Sequence, residues 1–399
     1  MLTSDFIELL KKLEPVSLDD LGNYRFMLFG NGGFAQRILD KHSERTCARI
    51  DYSCKVEQDN DGQNWIIPQQ ARGVIVLGSG NGSYQFNQLQ ALAEYGHDEI
   101  EKVLLVDPYL CIRNIDVATP SNTLLLLEHA DGVNRHNRHL CNLKKILKNK
   151  GITTTSICPL TLLYYPHYME SRDIVIFNGQ RDLYKVANTF LSHRITTYVE
   201  YGFFPQDQYF YMDKRGVNHR CSLMNDDLDW IEKNHIDRML DVKKRFLCNF
   251  NHNSTDFILV PLQVPDDVNI VKCSRFTNGM QEFIDYIIDY YPDNKNIVFK
   301  AHPKDPHRHS YDYRGKKCSD LPFMTLLENA ELVHGITSST LYEAALSGVD
   351  IIVEGVSLLS RNKSQYQSLF AAMIDRQISV ETNDFEYWLS RYSHIQHFG

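Results

Sequence analysis

The sequence runs to 399 residues, too long for one ordinary hydrophobic core and long enough for two or three domains. A composition of 43% hydrophobic and 23% charged residues is that of a folded globular protein and excludes a disordered chain. The formal net charge of −8 and a pI near 6.1 argue against a nucleic-acid binder, whose phosphate contacts call for a basic face.

In chain order, residues 1–13 alternate apolar with charged side chains, the pattern of a short amphipathic helix and not of a signal peptide. Residues 24–29 read as an aromatic strand, followed by Gly30-Asn31-Gly32-Gly33 and a helix over 34–39. A second strand at 73–77 enters Gly78-Ser79-Gly80-Asn81-Gly82; a helix over 84–95 and a strand at 102–106 follow. The middle of the chain carries strands at 123–127, 173–177 and 195–199, with helices at 139–150 and 183–193. One or two helices over 227–246 lead into the last third. There, strands at 257–262, 296–300, 332–335 and 350–353 alternate with helices at 278–290, 323–329 and 340–347. Short apolar runs alternating with helical patterns specify βαβ units and parallel sheets. The expected organisation is three Rossmann-like blocks over 1–115, 116–247 and 248–399. The longest apolar run, around 124–127, is far too short to span a bilayer, so a cytoplasmic protein is expected, at most peripheral at the inner membrane.

Nine cysteines, none spaced C-x-x-C, read as reduced, mostly buried thiols and not as a disulfide scaffold or a structural zinc site. His302, His307 and His309 lack the carboxylate or cysteine partners a metal centre needs, so no metal is expected.

Two regions carry chemistry. In the first, Gly30-x-Gly32-x-x-Ala35 lies between a strand and a helix and approximates a dinucleotide fingerprint, with Asp51 at the separation of a ribose contact. Glycines at this position also serve simply to turn the chain, so an NAD- or nucleotide-binding module and a plain scaffold both remain readings of it. In the second, three loops leave the C-terminal ends of parallel strands, where ligands of open α/β sheets bind. Thr337-Ser338-Ser339-Thr340 opens a helix and offers hydroxyls and backbone N–H groups to an anion; Thr340 with Glu343 also reads as a capping box. Lys300-Ala301-His302-Pro303 places a charge and a fixed histidine beside a phosphate, or forms a charged surface turn. Gln263-Val264-Pro265-Asp266-Asp267 presents two carboxylates just past a buried strand, as a nucleophile and helper or as a solvated turn. Glu200 ends an earlier strand, and Arg181 follows another, where its guanidinium suits a carboxylate.

The segments "FGNGGFAQRIL" and "VIVLGSGNGS" resemble the N-terminal nucleotide-binding-like domain of bacterial sugar-modifying enzymes. Further on, "NGQRDLYKVANTFLSHRITTYVEYGFF", "YFYMDKRGVN", "ILVPLQVPDD", "VFKAHPKD" and "ITSSTLYEAALSGV" occur in the order found in bacterial capsule-synthesis Kdo transferases. The resemblance covers roughly 170–355. It implies a GT-B-like pair of Rossmann-like domains, here with an additional N-terminal Rossmann-like block. It implies transfer of Kdo from CMP-Kdo to an oligosaccharide or lipid-linked saccharide acceptor, with retention, in capsule or lipopolysaccharide O-antigen synthesis. By position, Asp267 falls on the family's catalytic aspartate, His302 on its phosphate contact, and Ser338 and Ser339 on the same phosphate. Glu200 matches the first carboxylate of the family's E-D-G motif, whose second acid is Tyr201 here. Lys300, Pro303, Thr337, Thr340, Glu343, Gln263 and Arg181 complete the expected donor contacts. Bacterial GT-B sialyltransferases share similar motifs, which keeps an inverting CMP-sialic acid transferase as the alternative. The end of the chain offers no clear closing element, which implies one module of a larger envelope-polymer synthase at the inner membrane.

Overall fold

The computed structural model describes residues 3–51, 65–79, 82–95, 98–106, 123–127, 138–157, 174–178, 195–206, 208–253, 257–264, 268–293, 295–305, 307–382 and 386–395. The helix expected at 183–193 lies outside them, as do Asp266, Asp267 and Arg181. The chain folds into two compact units, 1–196 with 397–399, and 197–396.

The first unit opens with α1 (Ser4–Lys11), capped by Thr3, whose hydroxyl accepts from the Phe6 N–H at 3.2 Å. It gives way directly to β1 (Leu13–Val16), a strand that the amphipathic reading of 1–13 does not reach. There follow β2 (Phe26–Phe29), α2 (Gly33–His42), β3 (Thr46–Ile50), β4 (Trp65–Ile66), β5 (Gly73–Leu77), α3 (Gly82–Tyr95) and β6 (Ile100–Val106). The six strands form one parallel sheet in the order β1-β6-β5-β2-β3-β4. Period-two alternation sends Leu28, Val76 and Leu104 to one face, against Ala35, Ile38 and Leu39 of α2. Phe29, Ile75, Leu77, Val103 and Leu105 face the other way, with Phe6 and Leu9 of α1 and Phe86, Leu89 and Leu92 of α3. The block is doubly wound: helices cover both faces because both faces are apolar.

Further along this unit, β7 (Thr123–Leu127) pairs in parallel with both β8 (Thr153–Ile157) and β9 (Ile174–Asn178). Between β7 and β8 runs α4 (Arg138–Asn149), which buries Leu140, Leu143, Ile146 and Leu147.

In the second unit, β10 (Ile195–Tyr201) is followed by β11 (Tyr209–Asp213), which pairs with it antiparallel. This departs from the expected run of parallel βαβ units: the chain turns back within a few residues through the cis Phe204-Pro205 bond, leaving no length for a crossover helix. Next come α5 (Lys233–Phe246), β12 (Phe257–Pro261), α6 (Val268–Cys273), α7 (Met280–Tyr290), β13 (Asn296–Lys300), β14 (Lys317–Cys318), α8 (Phe323–Leu327), β15 (Leu332–Gly335), α9 (Thr340–Ser347) and β16 (Asp350–Val353). The parallel sheet built from these runs β14-β13-β12-β15-β16. Ile258, Val260, Ile297 and Phe299 pack on Met280, Phe283, Ile284 and Ile287 of α7. On the opposite face, Leu259, Val298 and Val333 meet Leu341 and Ala344 of α9 in a core that also holds Phe203, Phe204, Tyr211 and Met239.

Residues beyond 353 close that core. α10 (Tyr366–Arg376) buries every residue from Leu369 to Arg376. It leads into β17 (Gln377–Ser379), antiparallel to β11, and later α11 (Glu386–Tyr392). Among the described residues, no helix is long and apolar enough to cross a membrane. Of the six described cysteines, Cys221 and Cys273 are buried and Cys47, Cys141, Cys248 and Cys318 are exposed; Cys54, Cys111 and Cys158 lie outside the described residues.

Candidate functional site

In the second parallel sheet, β12 is central. The chain proceeds outward from it to β13 and β14, then returns to its other side as β15 and β16. The direction of winding reverses between β12 and β15, and the loops at their C-terminal ends diverge there into a crevice. Gln263 stands just past β12 and is 6% exposed. Its Oε1 accepts from the Thr337 N–H at 2.9 Å, and its Nε2 lies 3.3 Å from Thr337 Oγ1. One buried amide thus ties the first loop to the second across the switch point. Such a bond contributes about 1 kcal/mol net and fixes the register of the loop that follows.

That loop leads into α9. Ser339 is the helix's N-cap and makes no side-chain cap bond; the turn is closed by Ser338, whose Oγ accepts from the Thr340 N–H at 3.3 Å and lies 2.8 Å from Thr340 Oγ1. The expected capping box with Thr340 as cap and Glu343 three residues on does not form: Thr340 is the first helical residue, and Glu343 lies in the first turn, half-buried. Thr337, Ser338, Ser339 and Thr340 all remain partly accessible at the positive end of an eight-residue helix, a setting that favours an anion. Space for Thr337 comes from Gly355, where a Cβ would approach Thr337 Cγ2 to 2.4 Å.

On the other side of β12, Lys300 ends β13, and His302 and Pro303 follow. The Lys300 Nζ donates to the Asp320 carbonyl at 3.2 Å. His302 Nδ1 accepts from the Lys304 N–H at 3.2 Å, which orients the ring. Asp305, only 2% exposed, organises this turn: it accepts from the His307 N–H at 2.8 Å and from the Tyr311 hydroxyl at 2.7 Å. Burial, reinforced by the bond to Asp305, pushes the Tyr311 phenol well above its ordinary range, so it stays a donor. Among the described residues, no group of three or more His, Cys, Asp or Glu is placed to hold a metal ion.

Glu200 lies on the other sheet of this unit, second from the end of β10 and opposite Tyr211 of β11. Its Oε1 accepts from the Tyr201 N–H at 3.0 Å. The segment after it is clamped by a residue that the sequence reading does not single out. Gln377 Oε1 accepts from the N–H groups of Phe203 at 2.6 Å and Phe204 at 2.8 Å, while its Nε2 donates to the Phe204 carbonyl at 3.1 Å. Next to Gln377, Arg376 pairs with Asp213 in the interior, and Asp213 also accepts from the N–H of Arg215 at 2.7 Å and the hydroxyl of Ser222 at 2.7 Å. The available signal was Asp375-Arg376-Gln377, three polar residues interrupting an apolar run, a placement that costs heavily unless each is partnered.

The structure therefore gathers Gln263, Thr337, Ser338, Ser339 and Thr340 at one crevice, with Lys300, His302 and Pro303 on the neighbouring strand end. Glu200 is carried by a separate sheet.

The sequence model of the family described as "Capsule polysaccharide biosynthesis protein" matches residues 181–362. No curated protein matches the chain. Among solved structures, the chain is similar to the KpsC beta Kdo 2,7 transferase of Thermosulfurimonas dismutans, at 17% identity and a TM-score of 0.49, covering 65% of this chain and 96% of that one. It is also similar to the beta Kdo 2,4 transferase of the same organism's KpsC, at 12% identity and a TM-score of 0.48, covering 64% and 90%. The family match spans β10 to β16 and all three loops of the crevice. The similarity to the capsule polysaccharide biosynthesis family is thus carried by residues 181–362.

Proposed function

We propose that this protein is a GT-B-type glycosyltransferase that moves Kdo from CMP-Kdo to a saccharide acceptor of capsule or lipopolysaccharide synthesis, with retention of configuration. The observation that carries the reading is the Gln263–Thr337 bridge, which presents Ser338 and the N-terminus of α9 at the switch point beside the His302 turn, inside the segment that matches the capsule family. A phosphate leaving group suits that position: it would meet a helix N-terminus and hydroxyl donors, with Lys300 and His302 supplied from the neighbouring strand end.

In this mechanism a carboxylate oxygen of Asp267 attacks the anomeric carbon as the bond to the CMP phosphate breaks, and CMP leaves with the bonding pair. Its negative charge is met by Lys300, His302, Ser338, Ser339 and the backbone N–H groups of α9. An acceptor hydroxyl then attacks the same carbon from the opposite side to Asp267, Glu200 takes its proton, and the aspartyl ester bond breaks. Two inversions give net retention. Arg181 pairs with the sugar carboxylate. Thr337, Thr340 and Glu343 line the donor side with Gln263 and Pro303. The protein acts on the cytoplasmic side of the inner membrane, where a lipid-linked acceptor is accessible, and requires no metal.

Mass spectrometry of the protein quenched during turnover with CMP-Kdo tests this. A Kdo adduct on Asp267, absent from Asp267→Ala and present in Asp266→Ala, is expected. Turnover with full activity in Asp267→Ala would rule out the nucleophile.

A further inference from the structure

The N-terminal sheet has a second switch point, far along the sequence from the capsule-family segment. From β2 the chain winds outward to β3 and β4, then returns to the other side of β2 as β5 and β6. The chain therefore leaves the adjoining C-terminal ends of β2 and β5 toward opposite sides of the sheet, and the glycine loops found in the sequence start at those two ends. Their glycines divide into two kinds. Gly30 adopts φ +122°, and a Cβ at Gly78 would meet the Phe29 carbonyl oxygen at 2.7 Å, so the fold itself requires both. Gly32 and Gly33 have neither reason: their backbone conformation suits any residue, and nothing lies within 4 Å of where a Cβ would stand. They open α2, a ten-residue helix whose Gly32 N-cap provides no side chain for the first N–H groups.

Polar side chains converge on the same place. Gln88 of α3 is 4% exposed; its Nε2 donates to the Phe29 carbonyl at 2.7 Å and would lie 3.0 Å from a Cβ at Gly30. The Oε1 of that amide has no hydrogen-bond partner among the described residues. A buried acceptor left without a donor is rare in folded proteins and calls for a partner from outside the chain. From β3, Arg49 (9% exposed) places its guanidinium 3.4 Å from the Gly30 carbonyl. Two residues on, Asp51 accepts from the Asn31 amide at 3.0 Å, which sets its carboxylate beside the loop.

We propose that this crevice is a second nucleotide site, taking a ribonucleoside diphosphate group such as a nucleotide sugar or a dinucleotide carries. The diphosphate lies across the N–H groups of Gly32, Gly33 and Phe34 at the positive end of α2, with Arg49 behind it. Asp51 accepts from the ribose hydroxyls, and the Gln88 carbonyl faces a donor of the ligand. Gly32 and Gly33 lack side chains because the diphosphate occupies that space. The site is independent of CMP-Kdo chemistry, since a CMP-linked sugar carries only one phosphate.

Isothermal titration of the full chain with UDP-N-acetylglucosamine, NAD, ADP and 2′,3′-dideoxy-ADP tests the assignment. At least one of the first three is expected to bind, the first and second separating a nucleotide sugar from a dinucleotide. Gly33→Asp fills open space with a residue favoured in a first helical turn, so the variant folds, and it should weaken that binding at least tenfold while leaving CMP binding unchanged. Asp51→Asn should weaken the ribonucleotide several-fold and the dideoxy analogue not at all. Absence of binding by all of the diphosphates, or binding that Gly33→Asp leaves intact, would overturn the proposal.

Discussion

Gly202 follows the Glu200-Tyr201 pair with no room for a side chain: a Cβ there would stand 2.5 Å from Tyr209 Cβ and 3.1 Å from Gln377 Oε1. Gly202→Ala is expected to cost about 1–3 kcal/mol by overpacking, read as a lower urea midpoint with an unchanged m-value. Cys221 gives a second prediction at this scale. Burial pushes its thiol up to about 12, and the thiol donates to Asp213 at 3.2 Å. Iodoacetamide at neutral pH should therefore modify exposed Cys248 in the folded protein and spare Cys221, with both labelled in denaturant; peptide mapping decides it. The roles of Gln377, Asp213 and Gln88 could not be read from the sequence, because each depends on a partner more than fifty residues away. The loop residues Gln263, Thr337 and Ser338 were legible, because strand ends and helix starts are local signals.

At the scale of elements, α10 and β17 join the C-terminal segment to β11 through the buried Arg376–Asp213 pair. Arg376→Met leaves the Asp213 carboxylate buried without its cation and is expected to destabilise by about 3–5 kcal/mol, measured by chemical unfolding. A second network lies between β15, β16 and α7. His334 is fully buried, with its Nε2 2.9 Å from Glu354 and its Nδ1 2.9 Å from the Tyr291 hydroxyl; Glu354 also receives Tyr286 and Arg275, each at 2.9 Å. Burial lowers the His334 pKa from 6.5 despite Glu354. For Glu354, burial acts upward, but the bonds from His334 and Tyr286 outweigh it and leave the carboxyl below 4.5. Both shifts act in one direction. The unfolded chain takes up protons that the folded form resists, so stability is complete above the unfolded values and falls as pH drops through 6.5 and then 4.5. The urea midpoint should decline between about pH 7 and pH 5, and His334→Gln should flatten that decline. The βαβ alternation that built both parallel sheets was readable from apolar periodicity. The β10–β11 hairpin and the elements after β16 were not: a strand paired by a distant segment and an apolar helix buried on most sides both lack a distinguishing period.

Among the described residues, two parallel sheets are doubly wound, each with its own switch point. Residues 197–247 pack in the same compact unit as 248–396, because Phe203, Phe204, Tyr211 and Met239 share one core with Leu259 and Val333. The compact division thus follows hydrophobic contact, whereas the sequence boundary near 247 followed the rhythm of strands and helices. If the two crevices act separately, saturating CMP and a saturating diphosphate ligand should raise the melting temperature additively. Each contributes about 2.7 kcal/mol at a hundredfold excess over its dissociation constant, and calorimetry with both ligands together checks the sum.

The proposed function requires the loops after β12 and β15 to receive the phosphate of a CMP-linked sugar. Calorimetric titration of CMP into the wild-type chain and into His302→Ala tests it most directly. Saturable CMP binding, preferred over UMP, is expected, and His302→Ala should weaken it at least tenfold; binding of the same strength in the variant, or none in the wild type, would refute a phosphate site at this position.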